Sequence, residues 1–258
     1  MSLISTGGFI PTNSLNSIIN TNIQKIVIIF SFLISLLNFF LIFNIFEKKV
    51  IIKDHKEDFY LFILIIFFIS IVYFNNFGGL DGIINVLSSA GNSGLTLLKS
   101  ENNISLFYIL IAIIGGSLIS NTSGIKFTRI YILLRTASIE IIKLISPNNV
   151  INKNIFRTEK KINDENIKVS FLIFISFFIS LFILSGILIV DNIDFEQSFK
   201  LSILTIVNTN ISPMYGVKEI DFSSFLTTSK ISLIIFMIIG KIELISIFLI
   251  IKKLLFKD

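Results

Sequence analysis

The sequence has no cysteine and no tryptophan, a single histidine (His55) and only three prolines among its 258 residues. Without cysteine there is no disulfide framework, and zinc or haem sites that need several Cys or His ligands are not expected. Charge is scarce too: 15% of residues are Asp, Glu, Lys or Arg, where a soluble domain carries roughly 25%. What fills the chain instead is apolar, with 53% hydrophobic residues, 28 Phe and a mean hydropathy of +0.87. That balance places the protein in a lipid bilayer. The net charge is +5, but the basic residues collect in short segments between long apolar runs. This is a membrane-topology pattern and not a nucleic-acid-binding stripe.

A helix rises about 1.5 Å per residue, so a hydrocarbon core of about 30 Å takes around 20 apolar residues to cross. Segments 26–46, 59–77, 169–190 and 229–251 meet or approach that length. A fifth run, 104–119, is short and enters a break that extends from Gly115-Gly116-Ser117 to Ser123-Gly124. A second helical stretch, 125–145, follows it. An ordinary loop between two spans is one reading of the break, but because the second stretch opens with Lys126 and Arg129, two full spans fit poorly.

Lys48, Lys49, Lys53 and Lys56 lie in one connecting segment, six Lys and Arg residues lie between 143 and 168, and Lys252, Lys253 and Lys257 lie in the tail. The opposite connections hold Lys25, Lys99, Lys200, Lys218 and Lys230. The positive-inside bias therefore puts loops 47–58 and 146–168 and the C-terminus in the cytoplasm. The outer connections carry moderately apolar stretches, 80–89 and 195–207, which are too short to span and end in small polar residues. They read as re-entrant half-helices, each followed by a loop. Such backbone is tolerated at membrane depth only when buried in protein or lining a water-filled path. The unit of helix, half-helix with loop, and helix occurs at 59–145 and 169–251, and in part at 4–46.

The three loops read Ser5-Thr6-Gly7-Gly8-Phe9, Ser89-Ala90-Gly91-Asn92 and Thr209-Asn210-Ile211-Ser212-Pro213. A short extended loop of small residues offers successive carbonyl oxygens to an ion that has shed its water. Taken singly, each is best read as a plain turn; three at repeating positions form a pattern.

At these residues the sequence resembles the Trk/Ktr/HKT superfamily of potassium transporters, in particular the bacterial Trk membrane subunit. The carriers are Ser5-Thr6-Gly7-Gly8-Phe9, the break from Gly115-Gly116-Ser117 to Gly124-Ile125-Lys126 and Arg129, Asn210-Ile211-Ser212-Pro213, and Gly240-Lys241-Ile242-Glu243. The resemblance implies an all-α membrane protein of repeated transmembrane helix, pore loop and transmembrane helix units, arranged like a potassium channel in pseudo-fourfold symmetry and here incomplete. It implies that Thr6, Gly7, Ala90, Gly91, Asn210, Ile211 and Ser212 contribute to an ion filter. It implies gating by Gly115, Gly116, Ser123, Gly124, Lys126, Arg129 and Lys241. The organisation expected is a filter loop with inner helix (1–46), a cytoplasmic loop (47–58), a third pore unit (59–145), a second cytoplasmic loop (146–168), and a fourth unit with tail (169–258). It further implies a homodimer in the bacterial inner membrane with a cytoplasmic, TrkA-like nucleotide-binding regulatory subunit. The expected transported ion is potassium, with sodium the alternative, and neither a cofactor nor a nucleic-acid partner is expected.

Three departures bear on this. The chain begins at the second filter loop, so a partial sequence is expected, with a separate N-terminal polypeptide or a degraded gene as alternatives. Ser212 stands where the family usually has Gly; a Ser at a filter Gly accompanies sodium permeation in some relatives, at a different quadrant. Lys241 stands where an Arg is usual.

Lys241 falls near the middle of its span, where a charge costs about 2.5–3.5 kcal/mol to insert. It is expected to face the pathway beneath the filter, in a gating rather than an ion-binding role. Lys126 and Arg129 either mark the cytoplasmic end of a span or hold the break through Glu243 or loop carbonyls. Glu140 and Lys143 read as a surface pair, His55 as a solvated loop residue, and Asp191, Asp194 and Glu196 as outer charges near the fourth loop. A membrane enzyme is not expected, because the spans lack paired acids, His or Cys for catalysis.

Overall fold

Thr21 opens the first helix with a reciprocal cap: its hydroxyl accepts from the Gln24 N–H, and the Gln24 side chain accepts from the Thr21 N–H. The structure, a computed structural model, describes residues 3, 5–8, 18–19, 21–47, 55–75, 79–97, 104–146, 154–157, 161–217 and 221–242. Helix α1 (Asn22–Leu36) is followed by α2 (Phe39–Phe46), and the two are bent by 113°. The sequence led to one continuous span over 26–46; the structure breaks it. No proline or glycine is responsible. Leu37 and Asn38 take extended conformations, and Asn38 Oδ1 caps the new helix by accepting from the Phe40 N–H at 2.9 Å.

Helix α3 (Lys56–Phe74) carries Glu57 and Asp58 in its first turn, where carboxylates suit the helix dipole. Then come α4 (Gly79–Ala90), α5 (Ser105–Ile113), the two-residue strands β1 (Ile114–Gly115) and β2 (Ile125–Lys126), and α6 (Phe127–Ile145). Strands β1 and β2 pair in parallel, Ile114 with Ile125 and Gly115 with Lys126. The chain continues through α7 (Asp164–Ile189), α8 (Phe195–Ile206) and α9 (Thr227–Ile242). The fold is thus all-α among the described residues, apart from this short ladder and a single antiparallel bridge between Asn154 and Lys161. Helices α3 and α7 are each long and apolar enough to cross a membrane, and the bent α1–α2 pair adds a third if counted as one span. The expected span 229–251 is followed as far as Ile242; the rest lies outside the described residues.

Burial separates the elements into two kinds. On α3, Phe59, Phe62, Ile63, Ile66 and Phe67 are exposed, a surface that water would penalise and acyl chains would not. On the short helices the reverse holds: Ile84 to Ala90 of α4 and Lys200 to Ile206 of α8 are all buried. Helix α4 packs against α1, α3 and α5, and α8 packs against α5, α7 and α9. The half-helices therefore form the centre of the molecule, and the long apolar helices surround them.

Candidate functional site

The two half-helices end alike. After α4, the N–H groups of Asn92 and Ser93 donate to the carbonyls of Ser89 and Ser88, at 3.1 and 3.0 Å. After α8, those of Asn208 and Thr209 donate to Thr205 and Leu204, at 3.0 and 2.9 Å. Both are complete Schellman closures, with an asparagine in the left-handed region at φ 56° and 58°. Near the N-terminus, Thr6 has φ 58° and its N–H donates to the Leu3 carbonyl at 3.3 Å, the same bond one turn of the closure supplies in the other two. Thr6, Asn92 and Asn208 are hence equivalent positions, and so are Gly8, Gly94 and Asn210.

These equivalent positions meet. Gly8 and Gly94 both have positive φ, 65° and 70°, and a Cβ on either would collide with Asn210. Asn210 Nδ2 donates to the Gly8 carbonyl at 3.0 Å, and Asn92 Nδ2 donates to the Ala112 carbonyl at the end of α5 at 2.8 Å. The loops after α4 and α8 are braced behind by their own half-helices: Asn85 Oδ1 accepts from the Leu97 N–H, and Lys200 Nζ reaches Glu196 at 2.6 Å and the Gly216 carbonyl at 3.5 Å.

Set against the sequence reading, Thr6, Gly7, Asn210, Ile211 and Ser212 lie in the converging loops, with Thr6 and Ser212 buried and Gly7 and Asn210 exposed. Ala90 and Gly91 are displaced: Ala90 is the last residue of α4, and the Gly91 N–H still bonds back to Leu87. The residues equivalent to Thr6 and Gly7 are Asn92 and Ser93. Phe9 lies outside the described residues. Ser212 Oγ is buried with no hydrogen-bond partner among them.

A fourth loop, 116–124, lies beside these and is closed at its neck by the β1–β2 pair. Gly115 packs on the Ser123 carbonyl and Gly116 on the Leu36 carbonyl, while Gly124 turns the chain at φ 77°. Lys126 is buried and donates to the carbonyls of Ser120 and Thr122 at 3.1 and 2.6 Å. Of the two expectations for it, the structure takes the one in which it holds loop carbonyls. Arg129, with Gly124, Lys126, Phe177, Ile206 and Gly240, lines a small crevice between the loop and α7, α8 and α9. Lys241 Nζ donates to the carbonyl of Asn121, at the loop's tip, at 2.8 Å, and to the Thr6 hydroxyl at 3.0 Å. It joins the fourth loop to the first. One residue earlier, Gly240 lets α9 close on the end of α8, since a Cβ there would collide with the Ile206 carbonyl. Glu243 lies outside the described residues.

Other charges are placed as follows. Glu140 and Lys143 form an exposed pair at 2.6 Å. Asp191 accepts from the Leu226 N–H, and Glu196 pairs with Lys200, so both serve local structure. The reading of His55 as solvated is corrected: its side chain is mostly covered, with Nε2 3.1 Å from Asn44 Nδ2 and Nδ1 3.6 Å from Asp58. The 113° bend brings Asn44 back to it, which the sequence did not reveal. Sequence reasoning also missed Glu57 and Asp58, whose partners lie far away in the chain.

The geometry can be compared with known proteins. The family described as TrkH, cation transport protein, matches residues 84–258. An uncharacterized cation transporter of Methanocaldococcus jannaschii is 27% identical over 183 residues, covering 69% of this chain and 37% of that protein. The crystal structure of the potassium transporter TrkH from Vibrio parahaemolyticus superposes with a TM-score of 0.82 at 18% identity, covering 96% of this chain and 56% of that one. The chain thus spans little more than a third of the curated relative and just over half of the solved structure.

Proposed function

Since the chain belongs to the TrkH family of cation transport proteins, we propose that it forms part of a pathway for a monovalent cation, potassium first, in a Trk-type uptake system. The observation that carries this reading is the meeting of three equivalent loops at Gly8, Gly94 and Asn210. Left-handed closures leave the carbonyls that follow them outside any helix ladder, where they can replace the water around an ion. The filter oxygens are those of residues 6–8, 92–94 and 208–212. Ser212 is the residue on which potassium preference over sodium turns.

Loop 116–124 acts as the gate. With Lys241 on the Asn121 carbonyl and the Thr6 hydroxyl, an ammonium sits between gate and filter, where its charge repels a passing cation. Opening requires that contact to part. The units 59–145 and 169–258 each contribute one quadrant, with loops 47–58 and 146–168 facing the cytoplasm. The working assembly is a homodimer in the inner membrane that docks a nucleotide-binding, TrkA-like subunit.

The test is growth of a potassium-uptake-deficient bacterium at limiting potassium, with this chain expressed alone and joined to the N-terminal half of a family member. The joined form is expected to restore growth and rubidium uptake. Failure of the joined form, with the protein present in the membrane, would overturn the reading. So would full uptake in a joined form carrying Gly94→Val.

A further inference from the structure

Breaking a helix exposes backbone groups that must find other partners. At the bend between α1 and α2 they find them in two places. The Leu36 carbonyl accepts from the Ser117 N–H at 3.1 Å, and the Phe39 N–H donates to the Ile119 carbonyl at 2.9 Å, so the bend and loop 116–124 complete each other. One further N–H of the bend and one of the loop go to adjacent acids on α3. Asp58 Oδ1 accepts from the Asn38 N–H at 2.9 Å, and Glu57 Oε1 accepts from the Leu118 N–H at 2.6 Å. Asp58 is almost wholly buried, and His55 and Asn44 back it from the side of α2. Two consecutive carboxylates at one helix start therefore hold two irregular segments that are themselves bonded together.

We infer that Glu57 and Asp58 are positioning residues, a clasp that fixes the resting place of loop 116–124 by binding it and the α1–α2 bend to the start of α3. They touch no filter oxygen; they act through the loop. A carboxylate accepting a backbone N–H makes a short, charge-assisted bond, stronger than a neutral one. Neither segment can shift without orphaning a buried group on the other. A displacement of the start of α3 therefore reaches the loop through Glu57 and the bend through Asp58, while the loops after α4 and α8, closed on those half-helices, stay in place. This rests on loop 116–124 being the gate, but the clasp itself is tested without transport.

Hydrogen–deuterium exchange is measured on the chain in lipid nanodiscs, for the native sequence, for Glu57→Ala with Asp58→Ala, and for Glu57→Gln with Asp58→Asn, which keeps an acceptor oxygen at each position. The alanine pair is expected to speed exchange over 36–39 and 116–122 by about tenfold or more, with α7 and α8 unchanged; the Gln/Asn pair is expected to keep most of the protection. The clasp is overturned if the alanine pair exchanges like the native chain, if exchange rises equally over α7 and α8, or if the Gln/Asn pair behaves like the alanine pair. In the joined transporter, the alanine pair is expected to raise basal rubidium uptake several-fold at an unchanged potassium-to-sodium ratio; a changed ratio, or uptake no higher than native, counts against the clasp. A native joined transporter without uptake would sink the transport reading and leave the exchange result to decide the clasp.

Discussion

Two regions of irregular backbone lie side by side in the interior, and they are held by different means. The loops after α4 and α8 are fixed mainly by neutral chemistry close at hand: each closes on the last carbonyls of its own half-helix, and small residues pack where they meet the loop at 5–8. Loop 116–124 is fixed in addition by charged side chains, Lys126 at its foot and Lys241 of α9 on its carbonyls and Glu57 of α3 on its Leu118 N–H, beside its backbone bonds to the α1–α2 bend. Local closures let go only when the helix end itself unwinds. Long-range charged contacts release singly, when an element bearing one of them moves. Under the proposed function, the difference assigns rigidity to the region that selects and mobility to the one that gates.

The comparison is most strongly broken at its rigid side. Gly94→Ala places a methyl against the Asn210 backbone at a φ of 70°. It is expected to reduce rubidium uptake by the joined transporter more than about tenfold, since left-handed strain and overpacking each cost about 1–3 kcal/mol. On the mobile side, Lys241→Ala removes the bridge from Asn121 to Thr6. Basal uptake is expected to rise by about threefold to tenfold, the scale of one ordinary hydrogen bond in net terms, with the ion ratio unchanged. A fall in uptake, or an altered ratio, would show that Lys241 belongs to the filter.

Gly240→Ala probes the seam between the two regions. Its methyl meets the Ile206 carbonyl at the end of α8, so the purified chain in detergent is expected to lose about 1–3 kcal/mol of stability by thermal shift. Lys143→Ala is the control. The pair with Glu140 is exposed on α6, and its loss is expected to change stability by less than about 0.5 kcal/mol and leave uptake unaltered.

Much of this arrangement is legible in the order of residues because the half-helices are bounded by physical signals. The stretches read as 80–89 and 195–207 fold as Gly79–Ala90 and Phe195–Ile206, where moderate hydropathy gives way to small polar residues. Alignment within the loops is not legible in the same way. Letter similarity pairs Ala90-Gly91 with Asn210-Ile211-Ser212, whereas the backbone pairs Asn92 with Asn208. The landmark is a left-handed asparagine at the helix end, a residue second only to glycine there, and in so Asn-rich a chain it does not stand out. The bend at Leu37 and Asn38 is hidden for another reason: both sides of it are apolar, so hydropathy runs on through the break. The bond from Glu57 to Leu118 joins residues far apart in sequence and leaves no mark in either segment.

The parallel sense of the β1–β2 neck has a mechanical consequence. Chain direction is the same entering the loop as leaving it, so α5 and α6 follow one another like two lengths of a single rod with an eyelet set beside the joint. Tension along that rod loads the rungs of the neck together, in shear, instead of peeling them one after another. A force along α6 would therefore act on the whole eyelet at once, including its tip at Asn121, where the Lys241 ammonium sits.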